Sequence, residues 1–418
     1  MLLLDRVFRT VVARGTLEVT WPDSHTARYG TPGTGPTAAI VVRDAATARR
    51  VALNPSLAFG EAWMEGAIDT AGDTTLYDVL DLLMRNLADG KLPAHARIAE
   101  RVATWFRRRQ QRNPVLRARR NVAHHYDLSG RLYSLFLDRD RQYSCAYFPT
   151  GTETLEQAQV AKKRHIAAKL CLDRPGLRVL DIGSGWGGLG LTLASEFGAD
   201  VTGVTLSEEQ FRESNARAEA AGLSGRVRFL LMDYRSVTDR FDRIVSVGMF
   251  EHVGIVQYDT FFATVARCLA PDGVALIHAI GRPDGPGITN AWLRKYIFPG
   301  GYSPALSEVL PPIERSGLRV ADIEILRLHY AETIRHWRER FARNRDAVAA
   351  LYDERFCRMW EFYLVACELA FRHQGHMVWQ AQLAHRADAV PLTRDYIARA
   401  EAEAAARAVG ESPVSTGP

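Results

Sequence analysis

The chain has 418 residues, 47% hydrophobic and 24% charged, with a net charge of +5. It is long enough for two domains, ordinary for a soluble globular protein, and basic enough to favour an anionic surface without specifying one. Five scattered cysteines (Cys145, Cys171, Cys268, Cys357 and Cys367) with no C-x-x-C pair argue for a reducing compartment, and against a disulfide framework or a zinc site.

The opening MLLLDRVFRT has too short an apolar run before Asp5 and Arg6 for a signal peptide. No apolar run approaches the ~20 residues of a membrane span. The expectation is a cytosolic protein that can at most rest on a membrane. Residues 1–115 form a first unit. Strand-like alternation at 16–20 (TLEVT) and 39–43 (AIVVR) is separated by a Pro/Gly/Thr-rich turn at 29–37. Helical stretches follow at 45–53, 57–65 and 76–87, with a turn at 66–72 between the last two. This half carries no cluster of catalytic side chains and reads as a small α+β domain that packs or dimerises. Between 97 and 120 arginines crowd beside Ile98, Val102, Trp105 and Phe106. A basic amphipathic segment of this kind suits a membrane surface, and equally a solvated linker helix. No recognition motif accompanies the charge, so nucleic acid is not expected as a partner.

From 116 to 400 the pattern changes. A long helix at 155–172 leads to strands at 178–182, 200–205, 227–231, 242–247 and 274–280 that alternate with helices, predicting an α/β, doubly wound parallel sheet. Helices follow at 330–344 and 352–372, then a final strand at 377–383. Residues 401–418 read as a disordered tail after a fraying helix.

The first strand of the sheet runs into glycines 183, 185, 187 and 188 and then a helix. Gly183, Gly185 and Gly188 satisfy the G-x-G-x-x-G spacing of a dinucleotide site, but the second strand ends in Thr205-Leu206-Ser207, with no acid for a ribose 2′-hydroxyl. Asp181, just before the turn, suits the ammonium of a methionine-like group instead. The stretch resembles the first motif of S-adenosylmethionine (SAM) methyltransferases. On such sheets ligands sit beyond the carboxyl ends of the strands. That rule assigns Thr205, Leu206 and Gln210 to the ribose and Asp233, Tyr234 and Arg235 to the adenine, with ordinary packing as the competing role for Tyr234. It also brings Glu251 and His278 to the same mouth, with capping of the following helix as the competing role for Glu251 and that of a satisfied interior imidazole for His278. A metal site from Glu251, His252 and His278 lacks recognisable ligand spacing, so no metal is expected.

YSCAYF (143–148), LDIGSGWGG (180–188), GVTLSEEQ (203–210), VGMFEHVG (247–254), HAIG (278–281), IFPGG (297–301) and HY (329–330) occur together and in order. In this combination the chain resembles the cyclopropane-fatty-acyl-phospholipid synthase family and its mycolic-acid relatives. NPSLAFGEAWMEGAID (54–69) is similar to the N-terminal domain of the full-length synthases, which favours the phospholipid branch. The resemblance implies a Rossmann-like SAM-dependent methyltransferase. It would move a methyl group onto a cis double bond of an unsaturated phospholipid and close a cyclopropane once a proton is lost from that methyl. It implies a bound bicarbonate as base, held by Glu251, His278, Tyr330 and the backbone at Cys145 and Ile280. Tyr143, Ser144, Asp181, Gly183, Gly185, Trp186 and Gly187 would complete the SAM site. It also implies a homodimer in peripheral contact with anionic membrane. Trp292, Tyr296, Phe298, Tyr302, Tyr147 and Phe148 are either walls of an acyl channel or core. Open alternatives are a methyl-branched or methylene product, and a small-molecule N- or O-methyltransferase.

Overall fold

The computed structural model describes residues 1–88 and 130–410. The basic segment at 97–120 and the 115/116 boundary lie outside them. The first unit runs α1 (Leu2–Val11), β1 (Gly15–Thr20), β2 (Thr26–Thr31), β3 (Thr37–Val42), α2 (Ala45–Leu53), α3 (Pro55–Met64), β4 (Ile68–Thr70) and α4 (Leu76–Ala88), with its sheet in the order β2-β1-β3-β4. Alternate residues of β1 and β3 face the core, as their apolar period requires. β2 occupies part of the interval read as a turn. Only Tyr29 in it is buried, so it carries no alternation to detect. Asp44 caps α2 by accepting from the Thr47 N–H at 2.7 Å, and Pro55 opens α3 where no amide hydrogen is needed.

The second unit runs α5 (Gly130–Phe136), α6 (Leu155–Lys169), β5 (Arg178–Ile182), α7 (Gly188–Phe197), β6 (Asp200–Thr205), α8 (Glu208–Ala220), β7 (Val227–Leu231), β8 (Phe241–Val247), α9 (Tyr258–Cys268) and β9 (Leu269–Gly281). It continues through α10 (Ala291–Tyr296), α11 (Leu306–Arg315), β10 (Arg319–Leu326), α12 (His329–Arg343), α13 (Arg345–Leu351), α14 (Glu354–His373), β11 (Met377–Ala384) and α15 (Asp395–Gly410). The seven-stranded sheet has the order β10-β11-β9-β8-β5-β6-β7. β5 to β9 are parallel, while β11 is antiparallel to both β9 and β10. This is the Rossmann-like α/β sheet expected, extended by β10, whose largely unburied N-terminal half gives no strand signal in the sequence. Val179, Val245 and Leu276 face α6 and α7, and their neighbours Leu180, Ile244 and Ile277 face α9 and α11. Burial on both faces is what makes these strands read as continuous apolar runs.

α14 joins the two units. Trp360, Tyr363 and Leu364 enter an aromatic cluster of the second unit, while Val365 and Leu369 complete the core of the first unit. The chain end departs from expectation. α15 continues to Gly410 instead of fraying at 401. Ala404 is buried and the Glu401 carboxylate lies 2.5 Å from His165 Nδ1 on α6. The Ala/Glu composition favours helix in any case, and the tertiary contact fixes it. Among the described residues no helix is long and apolar enough to cross a membrane.

Candidate active site

The carboxyl ends of β5, β6, β7 and β8 converge on one cavity, and eight of the expected SAM residues line it: Gly183, Gly185, Thr205, Leu206, Gln210, Asp233, Tyr234 and Arg235. Gly183 sits at φ +83°, and a Cβ there would lie 2.7 Å from Met249 Cβ, so both backbone shape and space require glycine. The turn is pinned from the next strand, with the Gly183 and Ser184 N–H groups donating to the Val204 carbonyl at 2.9 and 3.1 Å. Thr205 Oγ1 donates to Gln210 Oε1 at 3.1 Å, and Ser207 caps α8. Arg235 grips the Asp233 carboxylate with two hydrogen bonds of 2.8 and 2.6 Å, which presents both as one fixed polar edge. The Tyr234 ring meets Phe261 edge-on at 5.4 Å, so its position is set by the core.

Met232, Gly248, Met249, His252 and Val253 also line the cavity, although only the rule of strand ends, applied to β7 and β8, would have found them. Burial pushes the His252 imidazole down to about 4, leaving it neutral. The remaining expected SAM residues are not among the lining residues. Asp181 is buried in β5, and burial pushes its carboxyl up to about 7 against the pull of the Lys162 ammonium. A Cβ on Gly187 would strike Phe229, which is a packing constraint. Trp186 packs on Tyr133 beneath the Arg141 guanidinium, 4.6 Å away. Tyr143 shares a 2.7 Å hydrogen bond with the Tyr363 hydroxyl. Ser144 borders the cavity edge, since a Cβ on Gly248 would come to 3.9 Å from its own Cβ.

Beside the cavity lies the second group. Cys145 is buried in an aromatic cluster against which Ile280 and Tyr330 pack. Glu251 Oε1 accepts from the Ile280 N–H at 2.7 Å, while buried Glu251 Oε2 has no hydrogen-bond partner among the described residues. Burial raises the Glu251 carboxyl to about 7. His278 pairs with Val247 across the parallel ladder and shares a 3.1 Å hydrogen bond between its Nδ1 and Gln380 Nε2. Burial and the Lys162 charge drive its pKa well below 6.5, so it is neutral. Burial pushes the Cys145 thiol far up, so it stays protonated. The Phe298 ring lies 6.2 Å from His252 and 5.7 Å from Tyr363, bridging cavity and aromatic cluster. Two other aromatics expected at an acyl channel are committed to structure. Trp292 Nε1 donates to Met64 Sδ at 3.2 Å, and the Tyr302 hydroxyl donates to Glu308 at 2.6 Å.

A family model described as mycolic acid cyclopropane synthetase matches residues 114–381. The chain belongs to that family. A second model, described only as a domain of unknown function, matches residues 3–89. The cyclopropane-fatty-acyl-phospholipid synthase of Escherichia coli K12 is 40% identical over 338 residues, covering 79% of this chain and 84% of that protein. The tuberculostearic acid methyltransferase UfaA1 of Mycobacterium tuberculosis is 38% identical over 347 residues, 80% of each. Mycolic acid cyclopropane synthase CmaA1, solved with SAH and CTAB, matches with a TM-score of 0.61 at 33% identity, covering 65% of this chain and 99% of that one. The chain is a SAM-dependent methyltransferase of the cyclopropane synthase type.

Proposed function

We propose that the enzyme transfers the SAM methyl group to a cis double bond in an acyl chain of a membrane phospholipid and closes a cyclopropane ring. The observation that carries this is Glu251, a buried carboxylate with one oxygen fixed on Ile280 and the other without a partner among the described residues, set between the SAM cavity and an aromatic cluster. An isolated alkene has no proton to lose before methyl transfer, so a base is needed only afterwards, in a site apolar enough not to quench the cation with water. The Glu251 oxygen without a partner among the described residues suits the O–H of a bicarbonate, and neutral His278, Tyr330 and the backbone at Cys145 would hold the rest of it, the Ile280 N–H being given to Glu251. When bound there, bicarbonate supplies the base. Ionised Glu251 accepts that O–H, and sharing the proton makes the two titrate as a coupled pair. The cavity residues, with Asp181, Trp186, Gly187, Tyr143 and Ser144 around them, hold SAM with its methyl toward this group. Phe298, Tyr330 and Tyr363 exclude water.

The enzyme works as a homodimer on the cytoplasmic side of anionic membranes, its first unit serving lipid contact or dimerisation. Flotation with vesicles and the mass in solution test these assignments. Purified enzyme incubated with labelled SAM and unsaturated phospholipid vesicles tests the activity. Lipid-bound label is expected, and none across several head groups refutes it. The likeness to UfaA1 supports a second reading, a methyl-branched or methylene chain from the same cation, which NMR of the product separates from the ring.

A further inference from the structure

Lys162 projects from α6 into the interior and is 1% exposed. Its ammonium donates to Gln142 Oε1 at 2.6 Å and to Ser144 Oγ at 2.9 Å. One turn earlier, Gln159 Nε2 donates to the carbonyls of Ser144 at 3.1 Å and Gln142 at 3.3 Å. The segment that delivers Cys145 to the aromatic cluster is thus held from below by two side chains of one helix. A buried ammonium costs far more than an apolar side chain of the same length unless its charge is used.

We propose that Lys162 is a positioning residue for methyl transfer: it fixes the Gln142–Cys145 segment at the cavity edge, and it sets a positive charge within electrostatic reach of Asp181 on β5 and His278 on β9. The charged and titratable groups around it are Asp138 and Asp140 from the preceding loop, Lys163 on its own helix, Cys145, Asp181 and His278. Asp138 and Asp140 favour its charge, Lys163 opposes it, and burial brings the ammonium down to about 8. Burial raises the Asp181 carboxyl to about 7 and keeps His278 neutral, and the Lys162 charge opposes the first shift and reinforces the second. Asp181 is a residue before the cavity wall at Ile182 and Gly183, so its ionisation is felt by a cationic ligand there.

The inference rests on the cavity being the SAM site, and SAH binding by the unaltered protein tests that separately. Lys162→Met removes hydrogen bonds and charge. Lys162→Gln keeps a donor for Ser144 and removes only the charge. Ser144→Ala keeps the charge. With SAM and unsaturated phospholipid vesicles, both Lys162 variants should shift the acidic limb of kcat/KM upward by about one pH unit. Activity should be partly recovered in alkali, more fully in Lys162→Gln. Ser144→Ala should lower kcat with the limb unmoved. Equal fractional loss at every pH in the Lys162 variants, or no loss, overturns the proposal. Should neither Lys162 variant fold, SAH binding by the wild type and by Asp181→Asn in buffers of different ionisation enthalpy decides. Proton exchange near pH 7 in the wild type and none in Asp181→Asn is expected, and equal exchange in both overturns it. Wild-type protein that binds no SAH removes the site reading itself.

Discussion

The Glu251 carboxylate and the Ile280 amide are 2.7 Å apart, joining the loop after β8 to the end of β9. The bond anchors a buried carboxylate two residues along β9 from His278, and among the described residues its second oxygen has no partner. Glu251→Gln keeps an acceptor for the Ile280 N–H and removes the acid. Turnover should fall by about 10²–10⁴-fold, while SAH still binds. Retention of more than a tenth of the activity would refute a role in proton transfer.

The same substitution should stabilise the fold. The carboxyl is raised from 4.5 to about 7 in the folded protein. Below the unfolded value both states are protonated and nothing is lost. From there to about 7 the unfolded chain ionises first, so stability declines, and above 7 the full penalty of roughly 3 kcal/mol applies. Glu251→Gln should therefore raise Tm at pH 8 and leave it nearly unchanged at pH 4, as calorimetry will show.

Turnover should have an acidic limb near neutrality. Asp181 and Glu251 are both raised to about 7 by burial, and both are proposed to act through their ionised forms. Rates should climb as pH rises through 7 and level off above it. A flat profile between pH 6 and 8 counts against both assignments.

Cys145 should be inert. Its thiol donates to the Ala146 carbonyl at 3.2 Å and is held protonated by burial. Alkylating reagents should leave it unmodified in the native protein at pH 8. Cys145→Ala should cost about 1 kcal/mol of stability and less than tenfold in rate, since the residue supplies backbone position rather than nucleophilicity.

Gly183→Ala should abolish tight SAH binding. The left-handed backbone alone disfavours alanine by about 1–2 kcal/mol, and the new Cβ collides with Met249 on the opposite cavity wall. Titration calorimetry checks it. Gly222→Ala, also at positive φ but with open space around it, is the control for backbone strain alone and should leave SAH affinity unchanged.

Much of this protein was legible in its sequence. The central parallel strands were visible because strands buried on both faces are largely apolar, and the glycine turn because its positive-φ backbone favours glycine. Of the eight expected residues that line the cavity, six followed from one rule, that parallel strands point their carboxyl ends at the ligand, and Gly183 and Gly185 from the glycine motif. What the sequence could not hold was set by partners distant along the chain. Tertiary packing alone decided that Asp181 and His278 lie within reach of the charge of a buried Lys162 and that Trp292 locks onto Met64 of the first unit. It also decided that a chain end read as loose is clamped on His165. Periodicity encodes which face of an element is buried, whereas the charge and hydrogen-bond partners of a buried polar group depend on which elements meet, and only the folded chain specifies that.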